Sequence, residues 1–145
     1  MSSLLKSVRK QRVNRVVLDS AAVLAMIQGE PGGERVEALL DAKELGADVQ
    51  VLMSWVNWCE VLTRTQRDNR AMTGDELTGA LVGVELSVFG PVDAELAATY
   101  ALVHRALSLG DRACLALAIE RKATVYTTDR VWKSLDLGMK IEVIR

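Results

Sequence analysis

Val16-Val17-Leu18-Asp19-Ser20, running straight into Ala21-Ala22-Val23-Leu24-Ala25-Met26-Ile27, holds two kinds of local order in one short stretch. The β-branched run that stops at an acid reads as a short buried strand. Asp19 or Ser20 then caps a helix over 20–28, and Gly29-Glu30-Pro31-Gly32-Gly33 ends it. A strand feeding directly into a helix is the repeating unit of α/β proteins.

The rest of the chain repeats this alternation. A helix is expected over 34–45, a strand over 49–53, and a helix capped by Ser54 that runs to about Arg67. Thr73 with Glu76 three residues on forms a capping-box pattern for the next helix. A strand over 86–89 is closed by Gly90-Pro91. Asp93 is expected to open a helix to about Leu107, and Asp111 another over 112–121. The latter is apolar on nearly every side and so must be buried. A strand over 123–128, a helical turn over 131–135 and a last strand over 140–144 complete the chain. Such alternation predicts an α/β fold, a three-layer α/β/α sandwich with a mainly parallel central sheet. Sites in such sheets form where the C-terminal ends of the strands open into the following loops.

Composition narrows the function. The chain has 145 residues, the size of one ordinary domain, and half of them are hydrophobic with 26% charged, which excludes intrinsic disorder. The longest apolar runs, 21–27 and 113–119, are far too short to cross a bilayer. The charge is uneven. Residues 1–15 carry Lys6, Arg9, Lys10, Arg12 and Arg15 and no acid, whereas the remainder is acidic. The basic start resembles a secretory leader only until Asp19 and Ser20 interrupt the apolar stretch, so it is read as a solvated basic extension on a cytoplasmic domain spanning 16–145, with no membrane partner. Cys59 and Cys114 make no disulfide framework; each falls within an apolar helical pattern, where a thiol acts as a small hydrophobe. With one histidine, His104, and no CxxC, zinc lacks ligands, and no nucleophile elbow or Gly-rich phosphate loop is present. Any catalysis must rest on carboxylates.

Asp19 follows the first strand, Asp129 the fourth, Asp111 heads the apolar helix, and Glu60 lies between Asn57 and Arg64 on the 54–67 helix. If Asp19 and Asp129 stand on neighbouring parallel strands, their carboxylates face one crevice. An all-oxygen set selects Mg²⁺ or Mn²⁺, whose charge relieves the mutual repulsion of clustered acids. Arg64, Arg67, Arg70, Arg112 and Arg130 are candidate phosphate contacts around that crevice. Each acid also has an ordinary explanation: Asp19, Asp93 and Asp111 as helix caps, Glu60 as an i,i+4 partner of Arg64, Asp129 as a turn residue. Trp55, Trp58 and Trp132 read as packing residues.

Four segments taken together go further: Val-Val-Leu-Asp-Ser-Ala-Ala-Val-Leu-Ala (16–25), Asn-Trp-Cys-Glu-Val-Leu (57–62), Leu-Ser-Leu-Gly-Asp-Arg-Ala-Cys-Leu-Ala-Leu-Ala (107–118) and Val-Tyr-Thr-Thr-Asp-Arg-Val-Trp (125–132). In this order the chain resembles the PIN-domain ribonucleases, most of all the VapC-type toxins of toxin–antitoxin pairs. The resemblance covers about residues 14–145. It implies that Asp19, Glu60, Asp111 and Asp129 are the catalytic, metal-holding acids. It also implies that Ser20, Asn57 and Thr127 support them, that Mg²⁺ or Mn²⁺ is the cofactor, and that RNA is the substrate. A cognate antitoxin and a homodimer are the implied partners. The basic extension before Val16 departs from the family pattern. Two other readings compete. A phosphoacceptor receiver domain needs paired acids after its first strand and a Lys after its last, and Asp19-Ser20 and the Lys-free stretch 127–130 do not supply them. A non-catalytic PIN-like module that binds RNA or protein would not need all four acids.

Overall fold

The structure is a computed structural model, and it describes residues 14–68 and 72–145. Five strands form one sheet in the order β3-β2-β1-β4-β5: β1 (Asn14–Leu18), β2 (Val49–Ser54), β3 (Val84–Ser87), β4 (Thr124–Thr127) and β5 (Ile141–Val143). Every neighbouring pair is parallel, so the expected mainly parallel sheet is wholly so. The crossovers are α1 (Ser20–Gln28), α2 (Gly33–Glu44), α3 (Trp55–Arg67), α4 (Gly74–Ala80), α5 (Pro91–Val103) and α6 (Leu109–Arg121), with a 3₁₀ turn at Arg130–Ser134.

Strand β1 holds the centre because it is apolar on both faces: Val16, Val17 and Leu18 are all buried. Alternate side chains go to opposite layers. Val16 and Leu18 join Ala22, Val23, Val36, Met53 and Trp58 under α1 to α4. Val17 joins Leu52, Leu115, Val125 and Trp132 on the other face, under α6. Ala113 to Ala118 of α6 are all buried, as the all-round apolar pattern requires. Among the described residues, no helix is long and apolar enough to cross a membrane.

Element boundaries shift from the sequence reading for identifiable reasons. β3 lies two residues earlier than expected, because Ser54 and Ser87 are the last residues paired between β2 and β3, leaving Val88 exposed. Neither Asp93 nor Asp111 is the residue that caps its helix. Pro91 occupies the first turn of α5, and Asp93, one turn in, accepts from the Gly90 N–H at 2.9 Å. In α6, Ser108 is the cap: its Oγ accepts from the Asp111 N–H at 3.1 Å and Asp111 Oδ2 accepts from the Ser108 N–H at 2.9 Å, a reciprocal capping box. α5 ends at Val103 rather than Leu107, with His104 at its C-terminus. Gly29 closes α1 in the left-handed region at φ 66°, where its N–H returns to Ala25 and Met26 carbonyls. Trp58 and Trp132 are packing residues as expected, but Trp55 is half exposed. Cys59 lies on the polar face of α3 and is exposed, not buried in the apolar stripe as the sequence reading had it; both cysteines are free. The basic residues Lys6 to Arg12 and Arg70 lie outside the described residues.

Candidate active site

The strand order reverses between β1 and β4, which pair in parallel although more than a hundred residues separate them. At such a switch point the two following loops part and leave a crevice above the strand ends. Asp19 sits there. Its backbone N–H extends the β1–β4 pairing to the Tyr126 carbonyl at 3.0 Å. Its side chain is 4% exposed, with Oδ1 accepting from the Ser20 N–H at 2.8 Å and Oδ2 from the Thr127 hydroxyl at 2.9 Å. The capping reading of Asp19 is therefore true, and it coexists with a second feature. Burial, reinforced by the charges of Asp111 and Glu60, pushes the carboxyl up to about 7 against the two hydrogen bonds that oppose it.

Glu60 reaches this crevice from α3. Its Oε1 accepts from Asn57 Nδ2 at 2.9 Å, and the same amide donates to the Gly110 carbonyl at 2.9 Å, bringing the carboxylate to the head of α6 beside Asp111. Arg64 does not pair with Glu60; its Nε reaches Asp68 at 3.3 Å instead. Beneath the acids lies Cys114, one turn after Asp111 and fully buried. Its thiol is pushed up first by burial and then by Asp19, Asp111 and Glu60. Burial and the surrounding negative charge favour the protonated thiol. Asp129 stands at the rim. Its N–H donates to Thr127 Oγ1 at 3.1 Å, so one hydroxyl ties Asp19 to the Asp129 backbone, while its exposed carboxylate accepts from the Val131 N–H at 3.0 Å and caps the 3₁₀ turn.

The structure thus gathers Asp19, Glu60 and Asp111 within electrostatic reach of one another, with Asn57 and Thr127 beside them and the Asp129 carboxylate at the edge. The arginines divide. Arg64 and Arg67 line a pocket of about 300 Å³ that also contacts Ser20, Cys59 and Glu60. Arg130 is exposed on the turn, with Nε donating to the Arg145 carbonyl at 3.3 Å. Arg112, expected beside the substrate, turns the other way. It follows Asp111 around the helix toward α5, where Nη1 donates to the Ala97 carbonyl at 3.1 Å and Nε is buried unpaired.

Two observations test whether a divalent cation fits. Among the described residues, none of Asp19, Glu60 or Asp111 forms an ion pair with a Lys, Arg or His. Asn57 Oδ1 is also buried without a partner. Uncompensated carboxylates and an orphaned carbonyl oxygen form a donor set suited to a hard dication. Among the described residues, no three His, Cys, Asp or Glu side chains are arranged to hold a metal by themselves. Mg²⁺ ordinarily binds through one or two carboxylates, with water and substrate oxygens completing its shell.

Gly110 and Cys114 also belong to this pocket, where the sequence alone suggests for Cys114 only a small buried hydrophobe. The signals were faint: a glycine in the first turn of an otherwise strongly apolar helix, and a cysteine at i+3 from Asp111.

The chain matches the model of the PIN domain over residues 16–137. No curated protein matches it by sequence. Solved structures share the fold at low identity. A toxin–antitoxin complex from Klebsiella pneumoniae aligns with a TM-score of 0.68 at 15% identity, covering 90% of this chain and 98% of that one. VapBC-1 from nontypeable Haemophilus influenzae gives 0.63 at 13%, covering 88% and 96%. FitAcB from Neisseria gonorrhoeae gives 0.57 at 20%, covering 87% and 95%. With the family match spanning β1 to the turn after β4, and acids converging at the switch point of the sheet, this chain belongs to the PIN-domain family.

Proposed function

We propose that this protein is a Mg²⁺- or Mn²⁺-dependent endoribonuclease and the toxin of a toxin–antitoxin pair. The observation that carries the reading is the buried Asp19 carboxylate, held near neutrality by burial and by the charges of Glu60 and Asp111 at the open ends of β1 and β4. A fold needs no such group; burying it and surrounding it with like charge costs stability. A site that holds a cation turns that cost into affinity.

Asp19, Glu60 and Asp111 are the residues proposed to hold the ion, with Asp129 joining from the rim. A bound divalent ion supplies Lewis acidity toward a phosphodiester and lowers the pKa of a water molecule. The chain's own groups arrange the rest. Thr127 holds Asp19 Oδ2 by its hydroxyl and receives the Asp129 N–H on the same oxygen, setting the spacing between the two strand-end acids. Ser20 N–H fixes Asp19 Oδ1. Arg64 and Arg67, exposed on the pocket that also contacts Glu60, and Arg130, exposed on the turn after Asp129, suit the phosphates of a single-stranded RNA. The antitoxin partner is supported by structural neighbours that are toxin–antitoxin complexes; a homodimer and a cytoplasmic location accompany the reading.

The test is RNA-end sequencing after induction, alongside cleavage by purified protein. Wild type with Mn²⁺ should generate new RNA ends, and EDTA, Asp19→Asn or Asp111→Asn should abolish them while the fold persists. Undiminished cleavage in EDTA or in both variants refutes the mechanism. RNA binding without cleavage under any metal favours the non-catalytic module.

A further inference from the structure

We infer that Asn57 and Gly110 form a clasp that fixes the Glu60 carboxylate at the head of α6, and that divalent-ion affinity depends on this clasp; the inference rests on the assignment of Glu60 to the ion site. Asn57 has no exposed surface, and its single Nδ2 serves two acceptors, Glu60 Oε1 and the Gly110 carbonyl, each at 2.9 Å. Because both neighbours only accept, the amide orientation is forced. Its Oδ1 is consequently left buried without a partner. An asparagine serving only as filler or helix tie would not carry that penalty.

Gly110 completes the arrangement. Its φ lies outside the left-handed region, so the backbone does not call for glycine there. Inside a helix glycine is inferior to alanine. What its missing side chain provides is space: a methyl group at Gly110 would overlap the Glu60 carboxylate carbon and both of its oxygens. The overlap falls on the far end of a flexible side chain and not on backbone, so an alanine here evicts Glu60 without breaking the helix.

The experiment titrates Mn²⁺ alone into the full-length, metal-stripped protein by calorimetry, with melting temperatures in parallel. Gly110→Ala should melt at or above the wild-type temperature yet lose about ten- to a hundredfold in Mn²⁺ affinity, the usual consequence of disturbing a ligand's support. Asn57→Ala should lose affinity similarly; if it does not fold, Gly110→Ala decides alone. In a Glu60→Ala background, Gly110→Ala should cost nothing further, because its effect runs through Glu60. Wild-type affinity in Gly110→Ala, or a loss that adds to that of Glu60→Ala, overturns the clasp and leaves the ion site standing. Unchanged Mn²⁺ affinity in Glu60→Ala, or no Mn²⁺ binding by wild type, locates the error in the ion site itself, and the clasp falls with it.

Discussion

Replacing Asp19 by Asn should stabilise the metal-free protein at alkaline pH and have little effect, or a slightly adverse one, in acid. The folded state raises this carboxyl from its ordinary 3.8 to about 7. The native protein therefore binds the Asp19 proton more tightly than the unfolded chain does. Asp19's contribution to stability is intact below pH 4, declines as pH rises, and is fully lost once pH passes about 7. At about 1.4 kcal/mol per pH unit, the loss amounts to about 4 kcal/mol. Asparagine does not titrate. Its Nδ2 can meet Thr127 Oγ1 but no longer accepts the Thr127 hydroxyl, a cost of about 1 kcal/mol. At pH 8 the variant should then be more stable by about 3 kcal/mol, or about 6–12 °C in melting temperature for a domain of this size. At pH 4 it should be equal or about 1 kcal/mol worse. Urea unfolding in EDTA across pH 4–9 measures the difference directly. Adding Mn²⁺ should stabilise wild type by mass action and close the gap, since the cation compensates the buried Asp19 charge and Asn offers it none. A difference that does not vary with pH, or a variant less stable than wild type at pH 8 without metal, would show that Asp19 is not a strained carboxylate.

Two further outcomes follow from other parts of the structure. Asp93→Asn should weaken only the first turn of α5, lowering stability by about 1 kcal/mol with cleavage retained; loss of cleavage in a folded variant would mean that the wrong carboxylates have been assigned. Gly33→Ala should destabilise by about 1–3 kcal/mol in chemical denaturation, because the new methyl would overlap the Ala25 carbonyl and the Met26 backbone, neither of which can yield; an unchanged midpoint would refute that close packing of α1 on α2.

The contrast between Gly33 and Gly110 captures the tension in this molecule. At Gly33 backbone meets backbone, and glycine serves the fold. At Gly110 the neighbour is a carboxylate, and glycine serves the pocket. Asp19 and Asp93 divide the same way. Both are buried acids at a helix start: Asp93 accepts from the Gly90 N–H and also meets Glu120, whereas Asp19 lies near Asp111 and Glu60 and is pushed up despite its two hydrogen bonds.

The alternation of strands and helices and the burial of α6 were legible along the chain, because each is local. A β-branched run, an apolar helix or a capping residue interacts mainly with residues a turn or a pleat away. The differences are also local: Gly90 and Ser108, not Asp93 and Asp111, hold the cap positions, one turn earlier within the same motif. Arg112 and Cys59 went astray because the face a helical side chain occupies depends on what packs beside it. The β1–β4 pairing, the meeting of Asp19 with Thr127 and the contact of Glu60 with Gly110 could not be read in this way, since each joins positions fifty or more residues apart. Their geometry, and the near-neutral carboxyl that results from it, exist only once the sheet has assembled and water has been expelled from the ends of β1 and β4, where desolvation and like charge act together on Asp19.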